Sequence, residues 1–545
     1  MADPRRLVAA PLAARLSAPA AVLASAAAFF GLCLAQSLTA PWTADTADTA
    51  LQGWALVHGH LLLHGWWEPD VTFYTFDAPL YGLCMRVFGF GSTALHVAGA
   101  LLYTLVFLAA AWLAKGDSHG RQARLRVALT ALMLSAPLFR GALLGTLMLV
   151  PDHCGTVVFA LVSFALVSQA SGRRWASGAP WALCAVLTLG QFGDATVRYV
   201  AVPALLLVCL LDSLIERRVP APRLRFAMAA IASVPVSMLL RLLMKSQGAY
   251  YMAEAHTRIA PTTDWGWHLE GTWLSLLSLF GVRTDFPGVG AAQVAGSLVG
   301  GFVLLCGLGG LAYTAVRWTS VDVADRLLAV SVVLYLGAYA FSGVTLRGGG
   351  GGYEFVGVLV LLGTLAARTL ARLRLRLPSR LPGPTRSSER LPVTAVTAVA
   401  GLAALTCLFS GTGLFVVSQN SPDQALAAWL EQHHLSYGLS GYWNAASTTV
   451  YSGGRVQLRQ ILAVPGGFVP YAWGAQQQWY EPARYDARFV VAEASGPQYT
   501  SITAAQAEAS FGTPSAVYRV DGFTVLVYPY NLLTRGRPPH LKPGA

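Results

Sequence analysis

Residues 19–67 read PAAVLASAAAFFGLCLAQSLTA and then PWTADTADTALQGWALVHGHLLLHGWW. The first part carries no charge over a length that meets the roughly 20 residues a helix needs to cross a hydrocarbon core about 30 Å thick. Arg5, Arg6 and Arg15 precede it as in a secretory signal, but the apolar stretch is too long for one and is expected to persist as a signal-anchor helix. The second part turns polar at once, with Asp45 and Asp48 just past the apolar run and His58, His60 and His64 beyond them. A span that delivers carboxylates to one membrane face sets the expectation for the rest of the chain.

About eleven windows of this kind occur: 18–40, 93–114, 127–146, 153–170, 177–193, 196–214, 224–245, 291–316, 325–343, 354–372 and 393–415. The 545 residues are 55% hydrophobic and 12% charged, with a mean hydropathy of +0.52, where a soluble domain is about a quarter charged. A cytosolic globular enzyme is excluded. The net charge of +12 does not point to nucleic acid, because the basic residues sit in short loops between apolar runs. The run RLRLRLPSRLPGPTRSSER (Arg372–Arg390) reads as a solvated linker drawn to anionic lipid headgroups. The seven cysteines lie in or beside apolar stretches with no CxxC, so neither a disulfide scaffold nor a zinc module is indicated.

Lys and Arg favour cytoplasmic loops. With the N-terminus inside, the loops Lys115–Arg126, Arg173/Arg174, Arg217–Arg225 and Arg368–Arg390 all fall inside, and most acidic residues fall outside. An odd number of spans then places loop 41–92, loop 246–290 and residues 416–545 outside. The expected fold is an α-helical polytopic membrane domain over 1–415, with a small extracytoplasmic α/β domain over 416–545. In the latter, Pro422–His434 with Ser421 as N-cap reads as a helix, Val456–Val464 and Phe489–Val491 as strands, and Ala516–Val520 with Phe523–Tyr528 as a hairpin around Asp521-Gly522. The aromatics between Tyr437 and Tyr485 suit a core against the interface or a sugar-stacking face. GLGGLAY at 307–313 is a small-residue helix-packing face.

Ionisable groups at a membrane face carry more weight than those in solvated loops. Asp45 and Asp48, Asp152-His153 in LVPDHCGTVVFALV, and Asp194 in QFGDATVRYVAVP lie at expected outer ends, with Arg198, Arg241, Lys245, Arg347 and Glu354 near them. Acids on three outer loops with cations beside them suit an anionic headgroup plus a general base. The plainer readings are an N-cap for Asp152, a local Asp194–Arg198 pair and a flexible loop for Arg347-Gly-Gly-Gly-Gly-Gly-Tyr353. His60 and His64 would share a helix face, with Glu68 and Asp70 nearby, yet Gly59 and Gly65 break the helix and no HExxH is present. Metal use is left open.

The stretches DTALQGWALVHGHLLLHGWWEPDVTFYTFDAPLYGL, PDHCGTVVFALVSFALV and FGDATVRYVAVPALLLV, with about eleven spans and an outer tail, resemble the GT-C superfamily of polyprenyl-phosphate-sugar-dependent glycosyltransferases. The closest shape is that of the protein mannosyltransferases and lipid A aminoarabinose transferases. The resemblance implies a plasma-membrane enzyme that moves a sugar from a polyprenyl phosphate to an envelope glycan, lipid or protein on the outer face. A lipid-linked donor also follows from topology, since nucleotide sugars stay in the cytosol while the polar groups face out. Asp48 is the first choice for the base, then Asp45, with Asp152 as the second acidic motif. Arg347 with Tyr353 is the first choice for the donor phosphate, because a glycine run lets backbone N–H groups approach an anion, and Arg198 and Lys245 are reserves. His60, His153, Asp194 and Glu354 are candidates for sugar or acceptor contacts. Two rival classes are a transporter or flippase of a lipid-linked precursor and a non-catalytic envelope-assembly protein. A transporter predicts midplane charges and two corresponding halves, and neither is evident.

Overall fold

The computed structural model describes residues 6–135, 153–170, 178–253, 258–282, 291–349, 351–373, 421–493 and 500–537. Among these, five helices are long and apolar enough to cross a membrane: Ser92–Lys115, Thr196–Glu216, Ala221–Ser246, Gly296–Val316 and Val323–Ala340. The chain is a multi-pass membrane protein. Among the described residues, eleven full-length spans are not seen. Cys154–Ala170, Ala179–Gly193 and Gly357–Arg372 have 17, 15 and 16 residues, which at 1.5 Å per residue reach only about 22–26 Å. The expected span 393–415 and the second half of 127–146 lie outside the described residues. Between the helices, Gly307 and Gly310 meet Leu362 and Leu365 of Gly357–Arg372, as the small-residue face predicts.

Two ends of the bundle differ in chemistry. Ser92, at the start of helix Ser92–Lys115, accepts from the Trp42 indole, and Leu113 lies near its other end, about 30 Å away at helical rise. There Arg368, 1% exposed, donates from Nη1 to the Leu113 carbonyl at 2.6 Å. Its Nε is 2.5 Å from Asp325 Oδ1 and its Nη2 2.5 Å from Asp322 Oδ2, and Arg372 also pairs with both aspartates. Arg326 binds Asp212 at 2.7 Å at a neighbouring position. Arg368, expected at the edge of a solvated linker, is instead the buried hub of a charge network.

At the first end, the loop helix Ala44–Val57 crosses helix Asp77–Phe88 at glycines: a Cβ on Gly53 would lie 2.0 Å from the Ala78 carbonyl oxygen, and one on Gly82 would lie 2.1 Å from the Gly53 carbonyl oxygen. Only backbone-to-backbone contact fits there. A short sheet ties three distant segments together: β1 (Trp66–Glu68) runs parallel to β2 (Tyr251–Met252) and antiparallel to β6 (Ala475–Gln476). Loop 41–92, the segment after Ala221–Ser246 and the tail therefore share one side.

The tail forms a six-stranded sheet in the order β5-β4-β3-β7-β9-β8, with β3 Tyr437–Ser440, β4 Gln457–Val464, β5 Gly467–Pro470, β7 Phe489–Glu493, β8 Ala516–Val520 and β9 Phe523–Val527. β3 is parallel to β4 and β7, and the remaining pairs are antiparallel. Both faces are buried. Val490 and Ala492 join Leu439 and Ile461 on one side, while Phe489 and Val491 join Leu458 and Val525 on the other, as a period-2 strand covered on both faces requires. Ser421 caps helix Pro422–Gln432, and Asp521 and Gly522 turn the β8–β9 hairpin at φ 43° and 87°, the left-handed pair that a tight hairpin favours.

Candidate active site

Thr43 caps the loop helix by accepting from the Thr46 N–H, which directs Asp45 and Asp48 toward the tail. Asp45 accepts from the Tyr442 hydroxyl. Asp48 is 6% exposed, and neither carboxylate oxygen has a hydrogen-bond partner among the described residues. Gly474 lies directly over it at φ 62°; a Cβ there would sit 2.6 Å from Asp48 Oδ2. Glu68 on β1 is buried beside them, with Oε1 unpartnered. Burial, then the charges of Asp45 and Glu68, push the Asp48 carboxyl well above the usual range. Burial raises Asp45 against the Tyr442 hydrogen bond, and takes Glu68 to about 8. A carboxyl raised in this way favours its neutral form and is a stronger base once it loses the proton.

Two stability tests follow from this cover. Gly474→Ala adds a side chain at a left-handed position against a carboxylate, and is expected to cost about 1–2 kcal/mol from the backbone alone, read as a lower Tm. Glu68 titrates higher when folded, so its contribution is intact below pH ~4.5 and is lost as pH rises toward 8. Glu68→Gln should therefore leave Tm nearly unchanged at pH 4.5 and raise it at pH 8; an equal shift at both pH values would contradict this.

A second cluster lies on the same side. His153, at φ 54°, places Nδ1 2.6 Å from Asp194 Oδ2, the Thr156 hydroxyl donates to the same oxygen, and the Thr196 N–H donates to Oδ1 at 2.8 Å. Burial opposes ionisation of Asp194, but His153 and these donors outweigh it and hold the carboxyl at about 2. Asp77 accepts from the Gly155 N–H at 3.1 Å and is pushed by burial to about 8. Asp70, raised by burial, and Glu354 lie within electrostatic reach of His153 and Asp194. The local pair expected between Asp194 and Arg198 does not form: Arg198 Nε donates to Gln191 Oε1 at 3.3 Å. Asp194 sits before the helix that carries Arg198, and its oxygens are taken by His153, Thr156 and Thr196.

The other expected residues are more dispersed. Arg347 is exposed, with its guanidinium 4.7 Å from the Trp267 ring centroid; Gly348 and Gly349 follow at φ 78° and 84°. Tyr353 is 40% exposed in the turn Gly351–Phe355. Lys245 is exposed in the last turn of Ala221–Ser246. Arg241, on the same helix, lies within electrostatic reach of Arg198 and Asp194 and donates to the Gln191 carbonyl at 2.7 Å. Neither Asp45 nor Asp48 forms an ion pair with a cation among the described residues. Asp152 lies outside the described residues.

The loop helix ends at Val57, so His60 and His64 do not share a helix face. His64 bonds the Gly248 carbonyl at 2.6 Å, His58 bonds the Trp54 carbonyl at 2.8 Å, and His60 is exposed. Among the described residues no three His, Cys, Asp or Glu side chains converge to hold a metal ion, and no disulfide joins the described cysteines. Three participants were missed in the sequence. Glu68 was weighed only as a metal neighbour, Asp77 sits within the aromatic-proline stretch TFDAP, and Gly474 shows no local signal because its role depends on the loop helix it covers.

No family model and no curated protein matches the sequence. Solved structures do share its fold. ArnT from Cupriavidus metallidurans bound to undecaprenyl phosphate gives a TM-score of 0.56 at 13% identity over 94% of this chain and 98% of that one. The same protein in the apo state gives 0.54 at 14% identity over 96% and 100%. The Archaeoglobus fulgidus oligosaccharyltransferase in complex with Zn and sulfate gives 0.50 at 12% identity over 93% and 73%. At these identities the likeness is one of fold, and it covers nearly the whole of this chain.

Proposed function

We propose that the protein is a membrane glycosyltransferase that moves a sugar from a polyprenyl phosphate carrier to an envelope acceptor on the outer face of the plasma membrane, with inversion. The observation that carries this reading is the desolvated Asp48 carboxylate, set beside Asp45 and Glu68 on the side shared by the loop, the tail and the second acidic cluster. The fold likeness to ArnT, whose structure holds undecaprenyl phosphate, supplies the donor class. Asp48 takes the proton of the acceptor hydroxyl; the oxygen attacks the anomeric carbon from the face opposite the phosphate, and the C–O bond to phosphate breaks with its electron pair leaving on the phosphate. Asp45, steadied by Tyr442, is the alternative base.

Cations stabilise the departing phosphate as its charge develops. Arg198, backed by Arg241, is the pair nearest the His153–Asp194 cluster, while Arg347 with Tyr353 and Lys245 stand at more exposed positions able to meet a lipid headgroup. His60, His153, Asp194 and Glu354 are assigned to sugar and acceptor contacts, and Asp152 to the second acidic motif. The outer assignment rests on the basic network around Arg126, Arg368 and Arg372 at the opposite end. The test is transfer of label from a panel of radiolabelled polyprenyl phosphate sugars to a crude envelope extract, with the product anomer read by NMR. Inverted product supports the reading. Retained configuration would remove the single-displacement step, and lipid flux in vesicles without transfer would favour a transporter.

A further inference from the structure

Between the loop helix and the tail lies a cavity of about 940 Å³, whose walls include Trp54, His60, Trp66, Gln457, Arg459 and Trp479. Its chemistry centres on Arg459, in the middle of β4. The residue is 5% exposed. Its Nη2 donates to Gln457 Oε1 at 2.5 Å and its Nε to the Tyr437 hydroxyl at 3.4 Å, both neutral acceptors. The guanidinium stands 3.9 Å from the Trp479 ring centroid and 5.5 Å from that of Tyr437. Among the described residues no carboxylate pairs with it, and its side-chain hydrogen bonds go to these neutral groups. A buried cation without a counter-charge is costly in a folded protein. Placed on the wall of an aromatic cavity, it is a site waiting for an anion.

The walls narrow the choice of anion. Trp66 and Trp479 meet edge to face at 5.3 Å, and indole faces of this kind pack against the C–H face of a sugar ring while side-chain amides and imidazoles meet its hydroxyls. The cavity is lined by residues of segments 51–66, 449–459 and 476–479 and by Phe90, with none from the five membrane-crossing helices. A polyprenyl chain has no apolar helix there to follow. The loop helix joins this cavity to the proposed base: Leu51 and Trp54 line it, and they lie three and six residues after Asp48, about 4.5 and 9 Å along the helix axis. The helix that carries the proposed base thus forms one wall of the cavity.

We propose that this cavity binds an acidic saccharide, a sugar chain bearing a carboxylate or a phosphate, and that this chain is the acceptor. The acceptor role rests on the transferase reading, whereas the ligand chemistry does not. The test is binding to the full-length protein in detergent, read by tryptophan fluorescence and calorimetry, of a hyaluronan tetrasaccharide, a phosphorylated maltotetraose and neutral cellotetraose. One of the two acidic probes is expected to bind at least ~10-fold more tightly than the neutral one and to weaken by at least ~10-fold in Arg459→Gln, the loss typical of removing one side of a buried charge pair. Which acid binds identifies the charged group. Gln478→Glu, at an exposed position on the cavity wall, leaves packing alone and should weaken the acidic probe while sparing the neutral one. Equal binding of neutral and acidic probes, no binding of any, or displacement of the acidic probe by a short-chain polyprenyl phosphate would overturn the proposal. Acidic-probe binding without turnover of any donor would remove the acceptor role and the transferase reading together while leaving the site; transfer to neutral acceptors that Arg459→Gln leaves unchanged would remove the site alone.

Discussion

Asp48→Asn is expected to lower sugar transfer by about 10²–10⁴-fold, the span that a positioned general base contributes, while the folded yield holds. The two halves of this expectation come from one observation. Asp48 is buried with both oxygens unpartnered and its carboxyl pushed well above the usual range by burial and by two acidic neighbours, so the site favours a neutral group and accepts the amide. The substitution removes the capacity to accept a proton and little else. The variant should also melt at a temperature equal to or above that of the parent at pH 8, because the parent loses stability as pH rises through the range where a raised carboxyl ionises. Transfer by the parent should rise with pH over the same range, and Asp48→Asn should lack that rise. An Asn variant that transfers at the parental rate would pass the base role to Asp45, which Asp45→Asn then tests.

Arg368→Met is expected to destabilise the membrane part by about 3–5 kcal/mol, the cost of removing one partner from a buried charge cluster. Arg368 reaches Asp322, Asp325 and the Leu113 and Ala114 carbonyls at once. Its loss leaves Asp325, buried with it, to Arg372 alone. Unfolding in detergent by heat or denaturant reads the effect. Arg368→Lys keeps the charge but not the planar fork and should fall between the two. If Arg368→Met melts like the parent, the network contributes no net stability. Because this site lies at the far end of the bundle from Asp48, the transfer rate per folded molecule should stay near the parental value.

Much of the local structure could be read from the chain, because its determinants are local. The Asp521-Gly522 turn, the Ser421 cap and the strand run Phe489–Val491 of β7 act over a few residues and appear as expected. The apolar windows that fall within the described residues also correspond to helices, although several are too short to be counted as crossing by length. What stayed hidden depends on pairing across sequence distance. The i, i+4 spacing of Asp194 and Arg198 suggested a pair, but that rule applies within a helix and Asp194 stands outside it, so His153 takes the carboxylate instead. Arg368 reads as the first residue of the inside basic loop Arg368–Arg390, because nothing nearby in sequence announces Asp322 and Asp325 as its partners. Arg459 carried a readable signal, a charge inside the strand-like run QLRQILAV, whose meaning emerged only with Trp479 and the loop helix on either side.

The aromatic stretch between Tyr437 and Tyr485 divides between the sheet core and the cavity wall. Tyr480 is buried in the sheet core and Tyr442 reaches Asp45, while Trp479 opens onto the cavity. Gln476 and Gln478 line that cavity two and four residues after Gly474, which covers Asp48. A ligand in the cavity therefore touches the same short segment that closes over Asp48.

The most direct measurement is mass spectrometry of the lipid itself. Purified protein is mixed with sugar-loaded polyprenyl phosphates and an envelope extract, and the carrier masses are followed in time. Free polyprenyl phosphate should accumulate in proportion to protein and fail to accumulate with Asp48→Asn. Carrier masses that stay unchanged with folded protein across the donor panel would contradict a transferase.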